Sequence, residues 1–247
     1  EKNPKLEMHA KYMRDHGDTS LNEKIRFGTD FAMDVNIFKD KFKEISKLPR
    51  IFRPNMKNDI MSFIDHLPGL HGVYALLKVT GVRTNAHEED GAVPSINIAC
   101  GPGGSEWFAI TLKYVKEADK AANSRGLSFG KSSDGIWPDH EDLEDLGIPY
   151  YRFTQNPGDV VYTGPGTLHW VQATGACVHA AWNAGVVSAD LLLAAIDQYE
   201  RNRIAKIDST VPMIRTSWII ANAGTVTDPD AKRVIFGVLL RSFHMLS

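Results

Sequence analysis

The hydrophobic rhythm of the chain changes three times. Glu1 to Asn22 is polar and weakly patterned and reads as a tail. Phe38, Phe42, Ile45 and Leu48 then recur at helical spacing within FKDKFKEISKLPRIF until Pro49 ends the pattern. From Val73 the period falls towards two, and VYALLKV, AVPSINIAC, EWFAITL, DVVYTG, LHWVQAT and CVHAAWNA read as strands separated by Gly, Pro and Asn. Between EWFAITL and DVVYTG, a helix over KYVKEADKAANSRG and a loop carrying IWPDHEDLEDL form a connection too long for a hairpin. After Val187 the alternation stops. Ser188 is placed to cap a helix through LLLAAIDQYERNR, a second helix is predicted around MIRTSWIIANA, and Asp228 with Pro229 opens a third.

Composition narrows the function classes. With 247 residues, 43% hydrophobic and 23% charged, the chain suits one domain of barrel or sandwich size with a small appendage. A net charge of -2 argues against a nucleic-acid backbone as the main partner and favours a peptide or small molecule. Cys100 and Cys177 are the only cysteines, so neither a disulfide framework nor a four-cysteine zinc site can be built within the chain. Both are expected to be buried free thiols in a reducing compartment. No apolar run reaches membrane-spanning length and the charged start lacks a signal core, so no membrane partner and an intracellular location are expected.

The segment GVRTNAHEEDGAVPSINIACGPG concentrates the chemistry. His87 and Glu89 are two apart, and alternate side chains of a strand leave from one face, a spacing suited to sharing a cation. His169, in GPGTLHWVQAT, offers a third ligand from a second strand. Two imidazoles and a carboxylate on one side of a metal leave positions open, the arrangement of non-haem Fe(II) oxygenases; structural zinc wants a closed site. A His-x-Glu pair is common by chance, and a lone strand histidine is usually a packing or surface residue. The neighbours change that balance. Lys78 ends one strand, Thr84 lies three residues before His87, and Ser95 and Asn97 share a face of the next strand. A dicarboxylate bound beside iron needs a cation and hydroxyl or amide donors at its far end, because a buried carboxylate without partners is strongly unfavourable.

LLKVTGVRTNAHEED, SINIACGPGGSEWFAI, IWPDHEDLEDLGIPYYRFTQNPGDVVYTGPGTLHWVQATGAC, AAWNAG and VPMIRTSWIIANA resemble the UTX-type JmjC histone demethylases from Lys24 to the end. The resemblance implies a mainly β fold with helices: a double-stranded β-helix of cupin or jelly-roll type with a C-terminal helical appendage. It divides the chain into a tail (1–23), a JmjC core (24–187) and a helical segment (188–247). His87, Glu89 and His169 fall on the family's iron triad, and Lys78, Thr84, Ser95 and Asn97 where it binds 2-oxoglutarate. Trp107 matches a pocket wall, and its other reading is a core aromatic. Trp170 and Trp182 are expected to be packing residues.

The activity so implied is Fe(II)- and 2-oxoglutarate-dependent demethylation of di- and trimethyl-lysine at lysine twenty-seven of histone H3, with formaldehyde and succinate released. The implied setting is the nucleus, with the methylated H3 tail and chromatin complexes as partners and no direct sequence-specific nucleic acid.

Three features depart from the family. Where it has a tyrosine two residues before the lysine, this chain has Leu76, and Tyr74 stands one strand period earlier. Where it has an asparagine ten residues after the second iron histidine, this chain has His179, expected to donate to 2-oxoglutarate, to crowd it or to add a fourth ligand. The family's four-cysteine module has no counterpart here. Two alternatives therefore stand beside demethylation: a JmjC protein hydroxylase acting on another substrate, and a catalytically silent chromatin-binding paralogue.

Overall fold

Nine strands pair antiparallel into two sheets in the structure, a computed structural model that describes residues 27–54, 56, 58–67, 70–124, 137–138 and 140–244. The first sheet runs β1 (Phe27–Ala32), β2 (Tyr74–Lys78), β9 (Cys177–Asn183), β4 (Ser95–Pro102) and β7 (Val160–Thr163). The second runs β3 (Arg83–His87), β8 (Leu168–Ala173), β5 (Ser105–Ile110) and β6 (Tyr151–Gln155). Strands distant in sequence lie side by side, β2 and β4 both against β9 and β3 against β8. This is the jelly-roll arrangement that the family resemblance implies.

Alternation along each strand separates two environments. Ile96, Ala180 and Trp182 leave the first sheet outward and pack with Val73 and with Ile45 of α1 (Lys39–Ile45). Ala86, Phe108, Leu168 and Trp170 leave the second sheet outward beneath α2 (Leu112–Ser124) and α3 (His140–Asp145). Trp170 and Trp182 are thus core residues, as expected, and Trp182 Nε1 donates to the Phe52 carbonyl at 2.8 Å. Because apolar surface is buried on the outsides of the sheets, the space between them is left for polar side chains. Lys78, Ser95, Asn97 and His179 of the first sheet are all buried there.

The third apolar cluster belongs to the C-terminal helices, α4 (Ala189–Ala205), α5 (Met213–Ala223) and α6 (Pro229–His244). The local signals act as anticipated. Ser188 Oγ accepts from the Leu191 N–H, and Asp228 Oδ1 accepts from the Asp230 N–H just after Pro229. Leu191, Met213 and Ile220 bury on the same core as Ile60 and Val93, tying the helices to the strand region. No helix among the described residues is long and apolar enough to cross a membrane.

Four details differ from the sequence reading. β1 and β6 were not anticipated; β6 is an edge strand in which Tyr151 and Phe153 alternate with polar residues but stay exposed. The acidic stretch after Pro138 contributes a short helix where a loop was expected. Cys100 is exposed while Cys177 is buried, because Cys100 sits on a bulge between Ala99 and Gly101 that turns it out of the ladder. The predicted tail lies outside the described residues.

Candidate metal centre

β3 and β8 bring the two histidines together. His87 and His169 are direct cross-strand partners, with ring centroids 4.3 Å apart. The strand ends at His87, so Glu89 is not its strand neighbour, as the sequence reading had it; it lies in the following turn. Its extended backbone (φ -63, ψ 145) still carries the carboxylate to the same side. Ligand atoms of His87, Glu89 and His169 all lie within 4.8 Å of one another.

A bulge makes the arrangement possible. Thr84 pairs with Val171 and His87 with His169, three steps on β3 against two on β8. In a regular strand residues three apart face opposite sides. The extra residue lets Thr84 and His87 share the inner face while Ala86 packs on the outer core.

The imidazoles are fixed by their backbones. His87 Nδ1 lies 2.8 Å from the Asn85 carbonyl and His169 Nδ1 lies 3.1 Å from the Thr167 carbonyl. A carbonyl only accepts, so in each neutral ring Nδ1 carries the proton and Nε2 presents its lone pair. Burial, and then the neighbouring His87, push the His169 imidazole down to about 4. Burial works against ionisation of Glu89, yet His169 and His87 and the donors Asn183 and Ser95 outweigh it and hold the carboxyl below its ordinary range. With only 4% of its side chain exposed, His169 is the neutral partner at pH 7, and the hydrogen bonds from Asn183 (3.1 Å) and Ser95 keep Glu89 ionised.

His169 Nε2 and Glu89 Oε1 then stand 3.7 Å apart as two acceptors with no proton between them. A cation satisfies both. The donor set of two imidazoles and one carboxylate fits Fe(II), and the carbonyls behind each Nδ1 are the outer partners that ligating histidines require. Trp107 stacks on the His169 ring at 5.6 Å and 14°, and its Nε1 donates to Gln155 at 2.8 Å, which makes it a wall of this space as well as a buried aromatic.

The remaining candidates surround the same interior. Lys78, 6% exposed, donates to Thr84 Oγ1 at 2.6 Å, and burial pushes its ammonium down to about 8. Ser95 Oγ meets Thr163 Oγ1 at 2.6 Å. His179 has both nitrogens engaged, Nδ1 with Asn97 Oδ1 at 2.6 Å and Nε2 with Ser105 Oγ at 3.1 Å, and it is outside the metal-ligating group. Because Nδ1 donates to Asn97 Oδ1, which also accepts from Gln155, the Asn97 NH2 group is the end turned away from His179. Leu76 is the cross-strand partner of His179, and the Tyr74 hydroxyl is engaged with the His71 carbonyl.

Sequence reasoning missed Asn183 and Gln155. Asn183 was detectable, since Cys177, His179, Ala181 and Asn183 alternate onto one face of β9. Gln155 ends the edge strand β6, and no local signal marks it.

Residues 74–184 match the family model described as JmjC domain, hydroxylase, and residues 192–246 match that of the lysine-specific demethylase 6/UTY C-terminal helical domain. The chain is 38% identical over 227 residues to lysine-specific demethylase 6B of Homo sapiens, a match covering 91% of this chain and 14% of that protein. It is 31% identical over 221 residues to lysine-specific demethylase jmjd-3.1 of Caenorhabditis elegans, covering 88% of this chain and 20% of the relative. The chain spans a minor part of both. With the jelly roll, the C-terminal helices and the His-Glu-His cluster in agreement with these matches, the chain belongs to the UTX-type family of JmjC lysine demethylases.

Proposed function

We propose that this chain is the catalytic core of an Fe(II)- and 2-oxoglutarate-dependent demethylase acting in the nucleus on di- and trimethyl-lysine of the histone H3 tail, at lysine twenty-seven, within chromatin complexes. The observation that carries the reading is the pair of Nε2 lone pairs, each turned away from its own backbone, converging on the Glu89 carboxylate beside a buried lysine. His87, Glu89 and His169 hold the iron in this reading. Iron held there would supply, with 2-oxoglutarate and O2, the oxidising chemistry for hydroxylating an N-methyl carbon, and the hemiaminal would part into formaldehyde and lysine with one methyl fewer.

The protein's own groups bind and orient. Lys78 and Thr84 take the far carboxylate of 2-oxoglutarate, pairing a buried cation with an anion that needs one. Asn97 presents its NH2 to the same ligand because His179 holds its oxygen, and Ser95 steadies Glu89. His179 therefore acts through Asn97. Trp107 closes one wall and excludes water around His169.

Leu76 supports a second reading, a protein hydroxylase. It places no phenol next to Lys78, and methylammonium groups are held by aromatic faces and oxygen contacts. Incubating a methylated histone H3 peptide with the protein, iron, ascorbate and 2-oxoglutarate decides between them by mass spectrometry. Mass losses of one methyl group with formaldehyde released support demethylation; succinate without formaldehyde replaces it with hydroxylation.

A further inference from the structure

Glu88 lies between two of the proposed ligands, yet its side chain turns away from them. It is 8% exposed and meets the guanidinium of Arg201 through both oxygens, each contact 2.8 Å. Arg201 belongs to α4, and the same guanidinium reaches Asp119 of α2 at 3.0 Å and Asp197, one turn back, at 3.2 Å. One turn earlier, Gln198 Nε2 donates to the backbone carbonyl of Glu89 at 2.9 Å, and its Oε1 accepts from the Ala92 N–H at 3.0 Å.

The contacts continue without a gap. Asp90 accepts a hydrogen bond from the side chain of Thr210. Gly91, at φ +64, packs so closely that an added Cβ would lie 2.9 Å from Val211. Ala92 is fully buried in the left-handed region, at φ 52, a conformation that persists only where the surroundings enforce it. Every residue from 88 to 92 is thus met by residues 198–211 of the helical segment.

The ladder explains why this matters. The β3–β8 pairing stops at His87, so no neighbouring strand fixes the backbone of Glu89. Its carbonyl is held by Gln198 and by the Ala92 N–H of its own turn. In extended chain, directing residue 88 to one side directs 87 and 89 to the other. Resting on the reading of His87, Glu89 and His169 as a metal site, we propose that Gln198 and Arg201 are positioning residues of that centre, and that the helical segment sets how firmly the metal is held.

Co(II), with its visible d–d absorption, serves as the probe on this whole chain. The metal-free protein and the variants Gln198→Met, Arg201→Lys and Ile220→Ala are titrated with Co(II), and thermal unfolding of each metal-free form is followed in parallel. Ile220 is buried in α5 in the apolar core and carries no side-chain polar group, so its variant reports loss of helical packing without loss of the polar contacts to residues 88–92. Gln198→Met and Arg201→Lys are expected to weaken Co(II) binding tenfold to a hundredfold and to shift the d–d band, as changes behind a metal ligand do. Lys keeps the charge of Arg but not its two-pronged geometry. Ile220→Ala is expected to lower Tm with affinity and band unchanged. Wild-type affinity and band in the two polar variants, or losses matched by Ile220→Ala at equal loss of Tm, overturn the proposal. Should Gln198→Met fail to fold, Arg201→Lys alone decides. Failure of the wild type to bind Co(II) removes the metal site itself, a result distinct from failure of the clamp.

Discussion

His87 and His169 face one another across β3 and β8 as direct partners, each ring held by the carbonyl two residues before it. Ring orientation is therefore a backbone property, and Glu89 supplies the anionic part of the site. Glu89→Gln retains shape but removes the charge. It is expected to weaken Mn(II) or Co(II) binding by more than the roughly hundredfold upper end of outer-shell changes. Calorimetric titration checks this, with loss of formaldehyde release in the same variant.

In the proposed reading, Lys78 links pH to co-substrate binding. Burial lowers its ammonium from an ordinary 10.5 to about 8, so 2-oxoglutarate affinity is expected to fall as pH rises above about 8, the charged form being the one that binds. Stability moves the other way. Between about 8 and 10.5 the unfolded chain holds the proton that the folded chain has released, so the metal-free protein gains stability from this group as pH rises through that window. Lys78→Met abolishes both slopes and weakens 2-oxoglutarate binding by about 2–5 kcal/mol, the range for truncating one partner of a buried charge pair.

His179 acts in the acid range. Burial, then the charge of Lys78, lower its imidazole from 6.5 to about 4. The folded form resists protonation, so its stability contribution is complete above about pH 6.5 and is lost as pH falls towards 4. His179→Asn is expected to flatten the fall in Tm between those limits relative to the wild type. An equal fall in both would remove His179 as its source.

Gln155 joins the two sheets. It accepts from Trp107 Nε1 at 2.8 Å and donates to the Asn97 carbonyl at 3.0 Å. Gln155→Leu leaves a buried indole N–H without its partner and is expected to cost about 1–3 kcal/mol in denaturant unfolding. It should also raise the 2-oxoglutarate concentration needed for half-maximal turnover, because Asn97 loses a second anchor on its oxygen.

The sequence displays most of the frame and the chemistry, because strands buried on one face and helices with clean caps leave periodic traces. The core strands around Tyr74–Lys78, Leu168–Ala173 and Cys177–Asn183, and the helices after Ser188, were all legible that way. What escaped detection depends on contacts rather than pattern. β6 lies at an edge with Tyr151 and Phe153 left exposed, Glu89 sits two residues beyond the end of its strand, and Arg201 looks like any helical surface arginine until Glu88 is seen against it. The Leu76 and His179 departures were visible as letters. That His179 spends both nitrogens on Asn97 and Ser105 is a fact of three dimensions.

The bulge in β3 carries one last consequence. Inward and outward directions along a strand follow an even count, and Thr84 and His87 are an odd number apart, reconciled by one unpaired residue. Paired as a regular ladder with no bulge, the same residues would send Thr84 to one side of the sheet and the first imidazole to the other. In this stretch the unpaired residue is what lets a chain of this length keep both groups on one face.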